Sequence, residues 1–377
     1  MRFASRNKEL SGSITPPHGD NRHFKSLYIL NLVVLLMVFG IISGCLSSPF
    51  TSDLKGPESS DNSVLFTDST NKSVSLPHPA ERIVTVNADT VETLIVLGAG
   101  DKIVGVTDNV AKNPQFMSHL PNAKNIGDSG NPNIELISSL HPDVIVVMSS
   151  APEGLKTWLT GMNFTLATFN CYILSDLRSS VRELGTMTGR SESAGKYLLL
   201  FEKYDLLIST RIGNTSTDQQ PRVYFEIGSD YTAAGKGSGG SALLRHIRAT
   251  NIAEELPTPW PKVSPEWIVN NNPDVIIKTV HTYSGDEEGF PELYDGIKAR
   301  GGFSGIRAVQ NERVYVMSSN ILYGPRGIIG QLYLGKILYP DQFSDIDPDE
   351  VLYQYAKDYM TEADVTATVY PPLTSNR

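Results

Sequence analysis

Two glutamates recur in a fixed setting. Glu135 follows Pro132-Asn133-Ile134 and stands seven residues before Pro142-Asp143-Val144-Ile145; Glu266 follows Val263-Ser264-Pro265 and stands seven residues before Pro273-Asp274-Val275-Ile276. The copies lie 131 positions apart at Glu, Pro and Asp alike. A carboxylate so placed has two uses. It can pair with a guanidinium on a partner through charge-assisted hydrogen bonds, or it can sit in the first turn of a helix, where the dipole favours an anion. The repetition at identical spacing suggests two related lobes with one surface Glu on each. The other chemically capable residues are scattered. Trp260 lies between Pro259 and Pro261, which restrict the backbone on both sides, so its ring resists burial in regular structure and is suited to stacking. The alternative is an indole laid over a loop. Arg326, in Tyr323-Gly324-Pro325-Arg326-Gly327, suits a carboxylate or phosphate, or else a salt bridge at the surface or between lobes. Tyr231, Tyr283 and Tyr323 can stack and donate hydrogen bonds.

Signatures of bond-making chemistry are missing. In Gly235-Lys236-Gly237-Ser238-Gly239-Gly240, Asp230 stands where a phosphate loop needs its first Gly, and Gly237 replaces the required Ser or Thr. No Gly-x-Ser-x-Gly elbow occurs. His119, His141, His246 and His281 lack the spacing of a zinc site, which disfavours both a metal catalyst and direct capture of a bare ion. An exported α/β enzyme therefore remains only as the rival class. The net charge of −9 gives a nucleic-acid role no electrostatic support.

The elements that must position these residues read as α/β. In each copy of the repeat an acidic residue opens a short apolar helix, and a Pro-Asp turn feeds a β-branched run suited to a buried parallel strand. Short β-rich runs at Arg82–Val86, Lys102–Val106, Val144–Met148 and Thr165–Phe169 form one series; Arg222–Ile227, Val275–Thr279 and Arg313–Met317 form a second. The reading is two parallel-sheet α/β lobes, 63–174 and 214–377, joined by one long spanning helix over 175–213. Gly185 and Gly189 interrupt that stretch, so two helices remain open. A stiff connector limits hinging.

The first 45 residues decide the compartment. Arg2, Arg6, Lys8, Arg22 and Lys25 precede an apolar run from Leu27 to Ile42, which ends at Ser43-Gly44-Cys45. Basic, apolar and small-residue segments in that order form an export signal. Small residues before Cys45 resemble a lipobox, which makes Cys45 a lipid-bearing N-terminus after cleavage; the alternative is an uncleaved anchor helix. Either tethers the protein to the outer face of a cytoplasmic membrane. Residues 46–62, rich in Ser, Pro, Gly and Asp, read as a flexible tether. Cys171 is the only other cysteine. Asn71, Asn163 and Asn214 head glycosylation triplets of a kind that often arises by chance.

From Arg82-Ile83-Val84 through Glu92-Thr93-Leu94 and Leu97-Gly98-Ala99-Gly100-Asp101-Lys102-Ile103-Val104-Gly105-Val106, the chain resembles the helical-backbone class of substrate-binding proteins for ABC importers. That class serves iron–siderophore, haem and cobalamin uptake. The likeness continues through both Pro-Asp units, Tyr231-Thr232-Ala233-Ala234-Gly235-Lys236, Asn251-Ile252-Ala253-Glu254 and Gly324-Pro325-Arg326, over roughly residues 64–360.

The resemblance implies a metal chelate held in a cleft between the lobes and delivered to a permease dimer with its ATPase subunits, with no cofactor and no catalysis. It implies that Glu135 and Glu266 each meet an Arg on one permease subunit. Trp260 is expected to wall the cleft, as in the cobalamin-binding members, with Arg326, Tyr231 and Tyr323 as further ligand contacts. Ser129, in the turn Gly127-Asp128-Ser129-Gly130, matches a cleft-facing position. The expected ligand is an iron complex of siderophore or haem type, with cobalamin as the alternative.

Overall fold

The computed structural model describes residues 62–282, 286–360 and 369–373. Cys45, the export segment before it, all but residue 62 of the tether, and Tyr283 lie outside the described residues. Among the described residues no helix is long and apolar enough to cross a membrane.

The two series of β-branched runs become two five-stranded sheets. In the first lobe the spatial order is Lys124–Asn125, Ile103–Val106, Ile83–Thr85, Val144–Val147, Leu166–Thr168, all parallel. In the second it is Thr250–Asn251, Arg222–Ile227, Val275–Val280, Val314–Ser318 and the antiparallel edge strand Val369–Tyr370. Central parallel strands are covered on both faces, which explains their unbroken apolar character. Every residue of Val144–Val147 is buried.

The repeated Pro-Asp turn has a structural task in each lobe. Asp143 Oδ2 accepts from the backbone N–H groups of Glu81 and Arg82 at 2.7 and 2.9 Å, and Asp274 Oδ2 accepts from Arg222 N–H at 2.9 Å. Each Asp thus clamps the start of the first strand, in chain order, of its lobe's five-stranded sheet. The basic residue of that strand answers by donating to the end of the repeated helix: Arg82 to Leu140 O, Arg222 to Asn271 O. The repeat is a pseudosymmetric building unit.

The connector differs from a single helix. Leu174–Thr188 ends at Gly189, which takes the left-handed conformation at φ 68°, and Ser191–Ile212 begins a new helix. A glycine there avoids the Cβ clash of left-handed backbone. The two helices fold against each other closely enough that a Cβ on Gly185 would stand 2.6 Å from that of Ala194. Ser191–Ile212, 22 residues and about 33 Å long, runs from beside Pro79 of the first lobe to the second, where Arg211 forks onto Asp345 at 2.6 and 2.8 Å. One buried apolar cluster continues from Phe66 and Val144 through Leu177, Tyr197 and Phe201 to Leu332, Tyr333 and Val369. The lobes therefore share a core across this layer, which resists independent motion.

Candidate functional site

The first cleft wall is built by the turn after Ile83–Thr85. Asn87 caps the helix Ala88–Val96, its side chain accepting from the N–H groups of Asp89 and Thr90 at 2.7 and 3.1 Å. This cap holds the first helical turn, with Ala88 and Asp89, at the mouth of the lobe. The opposite wall is the segment Ser319–Arg326 of the second lobe. Between them lie two adjoining spaces of about 250 and 330 Å³, which share Ala88, Asp89, Asn109 and Tyr323 as lining.

Trp260, Tyr323 and Ser129 all border the second space, while Arg326 borders the first. Trp260 is 63% exposed, as befits a ring offered to a ligand. Its loop is fixed by Gly235 N–H donating to Pro259 O and Ala233 N–H to Pro261 O, at 3.0 and 2.9 Å. Only glycine fits at 235, since a Cβ there would meet Thr258 O at 2.2 Å. That close approach explains the glycine run better than a phosphate loop does. Ser129 sits exposed at the tip of the turn joining Gly127–Asp128 to Asn131–Pro132.

Tyr231 is not brought to this cleft. It borders a separate hollow with Asp230, Lys278 and Arg300. Fully buried Glu226 draws it there: Glu226 accepts from Lys278 at 2.7 Å, from both ends of the Arg300 fork at 2.8 Å, from the Tyr224 hydroxyl and from the Tyr231 N–H. Arg300 in turn lies 4.5 Å over the Tyr231 ring. Despite its burial, these donors hold the Glu226 carboxyl below its ordinary range. The cluster anchors the stretch 228–235 against which the Trp260 loop pairs.

Arg326 reaches the cleft but is already engaged. Its Nε and one terminal nitrogen donate to Glu92 Oε1 and Oε2 at 2.7 and 3.1 Å, and the Tyr355 hydroxyl adds 3.0 Å to Glu92 Oε1. Glu92 belongs to the first lobe and Arg326 to the second, so the pair closes the cleft floor as a buried interlobe salt bridge.

Sequence reasoning missed Asp89, Glu92, Asn109 and Tyr172. Asp89 lines both spaces. Loss of water, and then the neighbouring Glu92, push its carboxyl up to about 7 against the pull of Arg326. Burial likewise raises the Tyr323 phenol, with Asp89 adding to the effect. The one available signal was Asn87-Ala88-Asp89, a cap followed by a carboxylate in the first turn.

Two α/β lobes, a helical connector and a broad cleft lined from both sides define a two-lobed solute-binding protein. The chain belongs to the periplasmic binding protein family, whose profile matches residues 83–321. It is 29% identical over 328 residues to YvrC of Bacillus subtilis, an ABC transporter substrate-binding lipoprotein, covering 82% of this chain and 97% of that one. It is 28% identical over 221 residues to a cobalamin-binding protein of Halobacterium salinarum, 56% of this chain and 58% of that one. The molybdate-bound structure of MolA from Haemophilus influenzae shares the fold, with a TM-score of 0.68 at 21% identity over 81% of this chain and 99% of that chain.

Proposed function

We propose that the protein captures a metal chelate outside the cytoplasmic membrane and hands it to an ABC importer, and that the chelate is an iron complex. The observation that carries this reading is the size and make-up of the cleft: two adjoining spaces of about 250 and 330 Å³, sharing Ala88, Asp89, Asn109 and Tyr323, together fall in the range of small-molecule sites and exceed what a bare ion needs. Among the described residues no group of His, Cys, Asp and Glu could hold a metal directly, and a chelate brings its own ligands. Tyr172 and Tyr323 offer aromatic faces and hydroxyls to such a complex. A corrinoid is the second reading, favoured by the exposed indole of Trp260 and by the cobalamin-binding relative. The test is the visible spectrum of the protein after incubation with ferric siderophores, haemin or cobalamins and desalting. Retained chelate supports the reading, and loss of every chelate contradicts it.

Delivery is proposed to run through Glu135 and Glu266. Both are exposed, and each is the second residue of a short helix, capped by Asn133 and Ser264 respectively. One carboxylate per lobe suits a two-subunit permease with an Arg on each subunit. Helix capping is the competing use, and for Glu266 it has a specific support: its own N–H and Ser264 lower its carboxyl pKa. Anchoring at the outer membrane face is proposed through lipid on Cys45, for which mass spectrometry of the extracted protein should find an acyl- or isoprenoid-bearing N-terminus at that residue. An N-terminus at Met1 would instead favour the uncleaved helix.

A further inference from the structure

The charges along the cleft are few. Among the described residues that line its two spaces, the formally charged ones are Asp89, Glu92 and Arg326, with His281 as the one histidine. Glu92 and Arg326 neutralise each other in the bidentate pair, and the Tyr355 hydroxyl takes a further Glu92 contact. That leaves Asp89, whose backbone is tied into the helix start while its carboxylate meets no cation within ion-pair distance among the described residues. The remaining polar lining is uncharged, with Asn109, Asn113, Asn320, Ser150 and Ser319 among it. Amides and hydroxyls donate and accept alike. A ligand edged with amides, hydroxamates or hydroxyls finds partners on these walls.

An anionic ligand meets a different site. The guanidinium that might receive it is held by Glu92, and releasing it would leave Glu92 buried without its cation. Above about pH 7, where the Asp89 carboxyl is mostly ionised, such a ligand must also approach it at short range in a partly dry cleft, where like charges repel strongly.

We propose that Asp89 sets the charge class of the ligand: the cleft admits neutral or singly cationic chelates, such as ferric hydroxamates or corrinoids, and rejects polyanionic chelates and oxyanions. This rests on the chelate reading and narrows it. Desolvation of Asp89 by the surrounding protein points the same way, because a cation or a hydrogen-bond donor from the ligand would relieve it.

The test uses the full chain in detergent at pH 8, where Asp89 is ionised, and follows equilibrium binding of ferrioxamine B, ferrichrome, cyanocobalamin, ferric enterobactin and molybdate. At least one neutral or cationic probe should bind roughly a hundredfold more tightly than ferric enterobactin or molybdate, and Asp89→Asn should narrow that gap by about tenfold. Asn keeps the shape of Asp, and an unchanged far-ultraviolet spectrum of the variant establishes that it is folded. If an anionic probe binds tightest, or if folded Asp89→Asn leaves the ranking unchanged, the charge assignment is wrong while the chelate reading stands. If none of the probes binds, the chelate reading fails and this inference fails with it.

Discussion

Arg326 and Glu92, 234 positions apart in the chain, meet across the cleft floor as a bidentate ion pair with side chains 13% and 5% exposed. A residue that sequence reasoning assigns to the ligand is thereby a strut between the lobes. Removing one partner strands the other in a poorly solvated place. Arg326→Ala should lower apo stability by about 3 kcal/mol or more, whereas Arg326→Met combined with Glu92→Met should recover much of the loss. Thermal or denaturant unfolding of the two variants checks this. An Arg326→Ala protein as stable as wild type, with weakened chelate binding, would return Arg326 to the role of ligand contact.

Trp260 separates from Arg326 in the opposite sense. Its exposed ring adds little to the folded apo protein but a large face to a bound chelate. Trp260→Ala should weaken chelate binding roughly tenfold or more with apo unfolding nearly unchanged. Equal affinity in the two proteins would remove the indole from the binding wall.

Asp89 links the cleft to pH. Its carboxyl is raised to about 7 from an ordinary 3.8, so between those values the folded protein keeps a proton that the unfolded chain has lost. The stability attached to that proton is complete below about pH 4 and is lost as pH rises through about 7. Asn carries no such charge. Asp89→Asn should therefore melt at nearly the wild-type temperature at pH 4 and above it at pH 8. A melting difference independent of pH would contradict the raised value.

Much of the fold was legible because parallel strands leave a simple trace. The seven strands read from β-branched runs all occur with shifts of one residue or less at most ends, since each is a buried apolar run bounded by turns. The hairpin Val64–Thr67 with Ser73–Leu76 escaped, as half its residues face solvent. The break between the connector helices was visible as Gly189 but not decided, because helical periodicity resumes after it. At the site, Trp260 stood out because two prolines make it odd in any regular element. Asp89 and Glu92 did not, since a carboxylate near a helix start reads as a dipole partner, and nothing local announces a salt bridge to residue 326. Tyr231 misled for a similar reason: the buried acid that turns it away, Glu226, lies in a strand that is otherwise apolar from Val223 to Ile227.

That buried acid has a consequence for binding at a distance. Glu226 satisfies Lys278 and Arg300 at once, and the stretch it anchors pairs with the Trp260 loop. Gly235→Ala pushes a methyl group into Thr258 O within that pairing. The variant should bind chelate several-fold to about tenfold more weakly while its Glu226 cluster keeps the lobe folded. Titration alongside far-ultraviolet spectra would decide, and unchanged affinity would show that the loop tolerates the shift.

The repeated glutamates make the transport prediction. On the proposed docking, Glu135→Arg and Glu266→Arg should each abolish uptake, with chelate affinity in solution unaltered, because a reversed charge would face the permease cation at a cost of several kcal/mol at a close contact. Normal uptake by the double variant would leave the two residues as first-turn partners of the helix dipole.

Whether one chelate is held between both lobes is tested most directly by hydrogen exchange with and without saturating chelate. Exchange should slow on binding at two places at once: the amides of the Asn87–Thr90 turn in the first lobe, and those of the Trp260 loop and Ser319–Arg326 in the second. Protection confined to one lobe, or centred on the hollow around Tyr231 and Arg300, would contradict that placement.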